Sequence, residues 1–206
     1  MIFPEVNAAP DRTIPFYNTI LKWDHYVPED VVLSKGFFIV PYQPGYGSAW
    51  ANPECSVGDF SAADEAKRYF VSTCLRNRSL EGSILFLQNA ENAVVGSGIA
   101  WQDQCGDSIV SSLHRLIIEE GYQGKELGKV LCSAVMNRFY EQDALPVYIH
   151  TQPWSWKAIV YCVPMRFKLQ KEDTFSHYKN EYAEAVTGLK RLLTETRIAY
   201  LLEASA

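Results

Sequence analysis

Residues 113–131 read LHRLIIEEGYQGKELGKVL and combine three local signals in a fixed order. The first six residues form an apolar run rich in β-branched side chains, which predicts a buried strand. A turn follows at 119–122, and Gln123–Gly128 then leads into the amphipathic run KVLCSAVMNRFYEQ at 129–142, which predicts a helix. The first N–H groups of a helix lack intrahelical partners and have the positive end of the helix dipole behind them. This order of elements therefore indicates a site that holds phosphate.

The same pattern is also compatible with an ordinary glycine-assisted turn between a strand and a helix in any α/β domain. Neither common phosphate motif is present, since the stretch contains no G-x-x-x-x-G-K-[ST] and no G-x-G-x-x-G followed by an acidic residue. The local chemistry thus leaves both interpretations open.

A resemblance to a known family makes the first interpretation specific. Gln123–Gly128 resembles the acyl-CoA pyrophosphate loop of the GCN5-related N-acetyltransferases, whose pattern is [RQ]-x-x-G-x-[GA]. Gln123 and Gly128 match the pattern, whereas Glu126 stands where the family usually has glycine. Ile118 matches the family's usual valine at the end of its fourth strand.

A second segment carries the same resemblance further along the chain. PVYIHTQ at 146–152 is followed by SWKAI at 155–159 and then by Phe167. This order is similar to the family's fifth strand and fourth helix, with the pattern N-x-x-A-I-x-x-Y-x-x-x-G-F. The resemblance covers about residues 36–172, and two ordered motifs at the right separation are more specific than either one alone.

The resemblance implies an α/β fold of the α+β type, with a mixed, largely antiparallel sheet flanked by helices. It also implies a V-shaped splay between the family's fourth and fifth strands. A chain of 206 residues suits one domain. We expect an N-terminal arm at 1–35, a core at 36–172 and a C-terminal helical segment at 173–206. In that segment we expect one long helix over 178–202, because an apolar face runs through Tyr182, Val186, Leu189 and Leu193. This helix could cover the core or pair with a second copy of the chain.

Several other elements follow from local patterns. Gly36–Tyr42 predicts the first core strand, Ala49–Ala51 a short helical piece and Ala62–Leu75 an amphipathic helix. Ser83–Gln88 and Ala93–Trp101 predict an antiparallel pair of strands. The wording GDFSAADEAKRYF before and within the predicted helix is similar to a bacterial branch of the family. There the early helices help to form the acceptor pocket, although a helix with only a packing role explains the pattern equally well.

The resemblance implies that acetyl-CoA is the co-substrate. Backbone N–H groups from Gly124 to Lys129 would hold the pyrophosphate, and the backbone from Leu116 to Ile118 would pair with the pantetheine amides. Ser155 stands at the asparagine of the second motif. The expected cofactor-binding residues are Leu116, Ile117, Ile118, Gln123, Gly124, Lys125, Glu126, Leu127, Gly128, Lys129 and Ser155.

Glu126 introduces a negative charge into a loop that should bind an anion. A carboxylate within about 5 Å of the pyrophosphate would cost roughly 3 kcal/mol at an effective dielectric constant of about 20. Alternatively, the side chain points outward from the first helical turn, where an acidic residue suits the dipole. Backbone N–H groups alone would then bind the phosphates.

Transfer of an acyl group to an amine also needs a base for the amine and an acid for the leaving thiolate. His114 is the candidate base, on the predicted strand Ser108–Ile118, where alternation places it on the same face as Leu116 and Ile118. A partly buried structural histidine is the other interpretation of His114.

Three sources of the proton are open, because the family's tyrosine falls on Cys162 and its glycine on Arg166. Cys162 could donate the proton, since a thiol is a workable acid. Tyr161, one residue earlier and rotated by about 100° around a helix, could reach the site if the helix is distorted near Pro164. Otherwise water protonates the thiolate.

Composition excludes several classes of protein. A net charge of −5 argues against nucleic acid and anionic membranes as partners. No apolar run approaches the roughly 18 residues needed to span a bilayer, and the first residues lack a signal-peptide pattern, so a cytoplasmic location is expected. The five scattered cysteines indicate free thiols, and the lack of metal-type Cys or His spacing predicts no metal.

These patterns predict an N-acetyltransferase that moves acetyl from acetyl-CoA to the primary amine of a small molecule or peptide by direct attack. The competing prediction is a catalytically impaired binding module that keeps the fold and its affinity for CoA or a small molecule. Glu126, Cys162 and Arg166 keep this alternative open. Transfer of a longer acyl chain is a third reading.

Overall fold

The computed structural model describes residues 13–76 and 82–206. The described part of the chain contains seven strands and six α-helices. The strands are β1 (Thr19–Trp23), β2 (Phe38–Pro41), β3 (Ile84–Gln88), β4 (Val94–Cys105), β5 (Ser108–Ile118), β6 (Val147–Thr151) and β7 (Lys168–Leu169). The helices are α1 (Gly47–Ser56), α2 (Ala63–Tyr69), α3 (Leu127–Glu141), α4 (Trp156–Cys162), α5 (Tyr182–Leu192) and α6 (Glu195–Glu203). The first twelve residues of the predicted arm lie outside the described residues.

The chain divides into two compact units. Unit 1 comprises 103–110, 146–206 and the described residues up to His25, and unit 2 comprises the described residues of 26–102 together with 111–145. The prediction of a single domain is not tested by this division and stays a prediction. The same holds for the splay between the strands that precede and follow α3.

In unit 2 the strand order is β2-β3-β4-β5, and β2/β3 and β3/β4 are antiparallel pairs. Helices α1 and α2 cover one face of β4, because Trp50 of α1 and Ala66 of α2 form a core with Phe86 and Ile99. Helix α3 covers the other face: a Cβ added to Gly98 would lie 2.9 Å from Val135 Cγ2. The predicted hairpin of β3 and β4 is confirmed.

In unit 1 strand β1 lies between β6 and β7 and is antiparallel to both. The prediction that residues up to 35 form only an extended arm is therefore wrong for Thr19–Trp23. Ile20 and Leu21 are fully buried, and the backbone of β1 bonds to a strand on each side. The aromatic composition of this segment does not by itself predict a strand, because β1 is stabilised by partner strands that are distant in sequence.

The predicted long C-terminal helix is also wrong, because the chain forms α5 and α6 instead of one helix. Leu193 is extended, with φ −115° and ψ 151°, and it interrupts the helical hydrogen bonds. Thr194 then occupies the N-cap position of α6, with Glu195 in the first turn, where an acidic side chain favours a helix start. The apolar face of α5 therefore does not continue along a single helix. The prediction of a homodimer relied on one long helix and loses that ground.

The fold class is confirmed as a mixed α/β fold with mostly antiparallel strands flanked by helices. No helix in residues 13–76 and 82–206 combines the length and apolar character needed to cross a bilayer.

Candidate functional site

The loop before α3 in unit 2 has the backbone form that the sequence predicts for an anion site. Strand β5 ends at Ile118, a 3-10 turn covers Glu120–Tyr122, and α3 begins at Leu127. The first helical hydrogen bonds run from the N–H groups of Lys129 and Val130 to the carbonyl of Glu126. The N–H groups just before them have no intrahelical acceptor, because a helix start provides none.

Glu126 is the N-cap residue of α3 and adopts the left-handed conformation, with φ 60° and ψ 2°. This conformation costs a residue with a Cβ about 1–2 kcal/mol and is nearly free for glycine. It explains why glycine is usual at this point of the family's loop. The Glu126 side chain is exposed and does not cap the helix. The outward orientation predicted as one alternative agrees with this exposure.

Neighbouring side chains hold the loop in place. Gln123 Nε2 donates to the carbonyl oxygen of Ile118 at 2.9 Å, which ties the loop to the end of β5. Asn89 Nδ2 donates to the Tyr122 hydroxyl at 3.0 Å, and Lys125 Nζ lies 5.1 Å from the Tyr122 ring centroid. Gly124, with φ 75°, makes the turn that these contacts stabilise.

The strand before the loop lies against two glycines of β4. A Cβ at Gly96 would lie 2.8 Å from the Ile117 carbonyl oxygen and 2.7 Å from Ile118 Cδ1. A Cβ at Gly98 would lie 3.4 Å from Leu116 Cδ1. Glycine is therefore required for this close approach of β4 and β5. Leu116 and Ile118 share the face that α3 covers.

His114 does not lie on that face, and the prediction of simple alternation is wrong. Arg115 has φ 52°, a left-handed residue inside a strand, which produces an irregularity of the β-bulge kind. As a result His114 and Arg115 both face α2: each contacts Tyr69. No pattern in a single sequence predicts a left-handed residue inside an apolar strand.

The His114 imidazole has two aromatic neighbours. Its Nε2 lies 3.2 Å from the Tyr69 hydroxyl oxygen, within hydrogen-bond distance. Its ring centroid lies 5.0 Å from that of Trp101, with the planes tilted by 36°. The imidazole is half-buried. These contacts would orient the imidazole of a catalytic base, and they would equally stabilise a histidine with only a structural role. The catalytic role of His114 therefore stays a prediction.

Arg115 forms a partly buried ion-pair cluster that the sequence did not reveal. Its Nη1 donates to Glu54 Oε2 at 3.1 Å and to Asp59 Oδ2 at 3.0 Å. The guanidinium carbon also lies 5.1 Å from the Phe60 ring centroid and 4.8 Å from that of Tyr69. A charged residue in the run LHRLII signals that a partner must exist, because charges are rarely buried alone. It cannot identify that partner.

Glu54 is the fully buried member of this cluster. Burial raises the pKa of its carboxyl to about 8, and the nearby Asp59 adds to the rise, while Arg115 opposes it without reversing it. Its Oε1 has no hydrogen-bond partner among the described residues, as expected of a carboxyl whose charge is only partly balanced. One guanidinium thus serves two carboxyl groups.

The candidate acids lie in unit 1 and differ sharply in exposure. The Cys162 side chain, at the end of α4, is buried, and burial alone raises the pKa of its thiol to about 12. Tyr161 is 41% exposed. Helix α4 ends at Cys162 and a 3-10 turn with Pro164 follows, which agrees with the sequence because a proline cannot continue a helix comfortably. Cys162 is consequently a weaker proton donor than an exposed thiol.

Arg166 follows that turn in the left-handed conformation, with φ 76°. Its N–H donates to the Val163 carbonyl at 2.9 Å, and the Phe167 N–H donates to the Cys162 carbonyl at 3.3 Å. This pair of bonds is a Schellman motif, whose left-handed position is usually glycine. The backbone therefore keeps the form of the family's glycine although an arginine occupies the position.

Ser155 occupies the N-cap position of α4, but its side chain does not cap the helix. Its Oγ instead accepts a hydrogen bond from Gln152 Nε2 at 2.8 Å. The role of Ser155 in binding acetyl-CoA stays a prediction. In the described part of the chain no three His, Cys, Asp or Glu side chains are grouped so that they could hold a metal ion.

Comparison with protein-family models gave no match, and comparison with curated proteins gave none. Among solved structures, the chain is similar to an acetyltransferase of the GNAT family from Staphylococcus aureus Mu50, with 18% identity, a TM-score of 0.51 and coverage of 64% of this chain and 84% of that one. It is also similar to an acetyltransferase from Streptococcus agalactiae 2603, with 15% identity, a TM-score of 0.53 and coverage of 72% and 92%.

A third similar structure is a GCN5-related N-acetyltransferase from Sphaerobacter thermophilus, with 13% identity and a TM-score of 0.46; the match covers 66% of this chain and only 42% of that one. The first two likenesses confirm that the chain has the fold of the GCN5-related N-acetyltransferases, which the sequence motifs predicted. At these identities the likeness concerns the fold.

Proposed function

We propose that the chain is an N-acetyltransferase that moves acetyl from acetyl-CoA to the primary amine of a small molecule or peptide. The observation that carries this proposal is the loop before α3. Its backbone turns through Gly124 and Glu126 in the left-handed form and leaves the N–H groups at the helix start without intrahelical acceptors. Such a loop suits the pyrophosphate of CoA, because the donors belong to the backbone and the dipole adds to them.

Acetyl-CoA would bind to unit 2 through two stretches of backbone. The backbone N–H groups of Gly124 to Gly128 would donate to the pyrophosphate, since the Lys129 N–H is already bonded to the Glu126 carbonyl. Leu116 to Ile118, at the end of β5, would pair with the pantetheine amides. The exposed Lys125 and Lys129 side chains add positive charge near the loop. The exposed Glu126 side chain is screened by solvent, which reduces its repulsion.

The reaction would proceed by direct attack within one complex. The amine nitrogen attacks the thioester carbonyl carbon, the C–N bond forms, and the C–S bond breaks to release CoA as a thiolate. His114 takes the proton that the amine loses, since an imidazole is an effective base near neutral pH. No covalent intermediate with the protein is involved.

The thiolate then needs a proton, and three sources remain in the proposal. Tyr161 is exposed enough to meet a substrate, whereas the Cys162 thiol, with its pKa raised to about 12, is a poor donor. Water is the third source. The burial of Cys162 also favours the second candidate function, a binding module that keeps CoA affinity but turns over slowly or not at all.

We place the chain in the cytoplasm, which agrees with its five cysteines being free thiols. Its acceptor is a primary amine, and no nucleic acid or membrane partner is proposed, in keeping with its negative net charge. A homodimer remains a prediction without the long helix that suggested it.

An assay of thiol release tests this function. The chain is incubated with acetyl-CoA and spermidine, tyramine, glucosamine or a peptide with a free N-terminus, and free CoA thiol is measured. We expect release that depends on at least one amine, and a kcat lowered about 10²- to 10⁴-fold in His114→Gln. His25→Gln, at an exposed histidine, is the matched control and should not change kcat.

Two outcomes separate the candidates. Binding of acetyl-CoA without turnover of any amine supports the binding module. Absence of both binding and turnover rejects the two candidates together.

A further inference from the structure

Tyr69, the last residue of α2, makes a hydrogen-bond contact with the candidate base across 45 positions of sequence. Its hydroxyl oxygen lies 3.2 Å from His114 Nε2. The sequence places Tyr69 within the predicted amphipathic helix Ala62–Leu75, where a tyrosine could pack its ring without using its hydroxyl. The contact gives the hydroxyl a partner of catalytic interest.

The Tyr69 ring is held on several sides. The Trp50 ring stacks on it with a centroid distance of 6.3 Å and an interplanar angle of 10°. The Phe60 ring lies 5.3 Å away, and the Arg115 guanidinium carbon lies 4.8 Å from the Tyr69 centroid. Arg115 is in turn fixed by its bonds to Glu54 and Asp59. The hydroxyl therefore has little freedom to leave His114.

Both partners of the contact stand beside a local irregularity of the backbone. A π-helical segment, Phe70–Cys74, begins immediately after Tyr69. The left-handed Arg115 follows immediately after His114. Such irregularities re-aim side chains and occur often at functional sites. In a regular strand neighbouring side chains point to opposite faces, so His114 and Arg115 would not both reach α2.

The bond at Nε2 has a chemical consequence. A neutral imidazole carries one N–H and one lone pair, and a hydroxyl can accept from the N–H or donate to the lone pair. When Nε2–H donates to the Tyr69 hydroxyl oxygen, the lone pair resides on Nδ1, and when the hydroxyl donates to Nε2, the proton resides on Nδ1. Trp101, 5.0 Å from the imidazole centroid, restricts the tilt of the ring.

We propose that Tyr69 is a positioning residue for acetyl transfer, and that its hydroxyl oxygen accepts a hydrogen bond from Nε2–H of His114, which holds the imidazole in the orientation and tautomer whose Nδ1 takes the amine's proton. This inference rests on the proposed function. Tyr69 acts through His114 and does not itself touch the reacting atoms.

The test compares Tyr69→Phe with Tyr46→Phe. Tyr46 belongs to the same unit, and its hydroxyl accepts a hydrogen bond from Gln88 Nε2 at 3.2 Å, so its substitution removes a hydroxyl of the same kind away from His114. With the amine that gives the fastest thiol release, we expect kcat to fall about 10- to 100-fold in Tyr69→Phe while KM for acetyl-CoA stays within about twofold. Tyr46→Phe should leave both constants unchanged.

Two further readouts exclude a purely structural role. In a His114→Gln background, Tyr69→Phe should lower kcat no further, because the residue through which it acts is gone. The ¹⁵N resonances of the His114 ring should shift in Tyr69→Phe and not in Tyr46→Phe, which reports the tautomer without turnover. Equal additional losses of kcat in both backgrounds, or unshifted resonances, would overturn the inference.

The outcomes also separate this inference from the proposed function. If His114→Gln lowers kcat and Tyr69→Phe does not, the inference fails and the function stands. If the wild type shows no turnover, or if His114→Gln keeps full kcat, the function assigned to His114 fails and the inference fails with it.

Discussion

Glu126 and Arg166 provide a comparison within one chain. Each stands where the family's motif has glycine, and each adopts the left-handed conformation that explains the glycine, with φ 60° and 76°. Glu126 precedes a helix, so the groups it leaves available are N–H donors. Arg166 follows a helical turn, so the groups beside it are carbonyls, and the Schellman bonds already satisfy two of them.

The difference shows which substitutions of the family's usual residues the proposed site can tolerate. At Glu126 the function proposed belongs to the backbone, and a change of side chain leaves the N–H groups where they are. At the end of α4 the function needs a particular side chain, and the position of the family's tyrosine holds the buried thiol of Cys162. The proposed binding of the donor therefore tolerates Glu126, whereas the proposed protonation of the leaving thiolate lacks the side chain that the family uses.

The largest expected effect tests whether the loop before α3 binds the anion. Gly124→Asp places a carboxylate at an exposed, left-handed position that Asp tolerates. At about 5 Å from the pyrophosphate, repulsion that solvent screens only in part would weaken acetyl-CoA binding about 10- to 100-fold. Gly124→Asn is the control, since it adds the same volume without charge. Calorimetry that finds equal, unchanged affinity in both variants would refute the assignment of the loop.

A second prediction concerns the pH dependence of stability near Arg115, which is also left-handed and pairs with the carboxyl groups of Glu54 and Asp59. Burial raises the pKa of Glu54 from 4.5 to about 8, so the folded state binds the proton more tightly than the unfolded state. The resulting stabilisation is complete below about pH 4.5 and is lost as the pH rises through 8, at up to about 1.4 kcal/mol per pH unit. Tm should fall between pH 6.5 and 8, and less so in Glu54→Gln.

This pH range avoids the opposite contribution of His150. Burial lowers the pKa of its imidazole to about 4, so its contribution is present above the unfolded value of 6.5 and is lost only as the pH falls below it. If wild type and Glu54→Gln lose Tm equally between pH 6.5 and 8, Glu54 is not the titrating group.

The third prediction contrasts the two glycine positions directly. Glu126→Gly and Arg166→Gly each relieve a left-handed side chain, so each should raise the free energy of unfolding by roughly 0.5–1 kcal/mol. Only Glu126→Gly should also strengthen acetyl-CoA binding, by about three- to tenfold, because it removes an exposed charge near the anion. Equal effects of both substitutions on acetyl-CoA affinity would break the distinction between them.

The smallest expected effect concerns Cys162. Because its thiol is buried with a pKa raised to about 12, Cys162→Ala should change kcat by less than about twofold and lower stability modestly. Tyr161→Phe is the companion variant and should lower kcat more if Tyr161 donates the proton. A large loss of kcat in Cys162→Ala, with normal acetyl-CoA affinity, would identify the thiol as the acid after all.

Local patterns predicted what local chemistry determines. The loop before α3, the hairpin of β3 and β4, and the end of α4 at Cys162 all follow from residues adjacent in sequence. Strand β1 was missed because its partners β6 and β7 lie more than a hundred residues away. The break at Leu193 was missed because an apolar period continues across it, while the backbone does not.

The site shows the same limit. The family's glycines predict a left-handed conformation at residues 126 and 166. No pattern predicts the left-handed conformation of Arg115, because an arginine in an apolar strand indicates a partner and not a backbone angle. The bulge turns His114 toward Tyr69 and not toward the face of Leu116. A contact across 45 residues that depends on this turn could not be predicted from one sequence.

Calorimetric titration of the chain with acetyl-CoA tests the central claim most directly, with desulfo-CoA and ATP as comparison ligands. If the loop before α3 holds the pyrophosphate and β5 the pantetheine arm, acetyl-CoA and desulfo-CoA bind in the micromolar range and ATP binds far more weakly. Absence of acetyl-CoA binding at millimolar ligand would contradict the account, because a backbone site of this form would then hold no CoA.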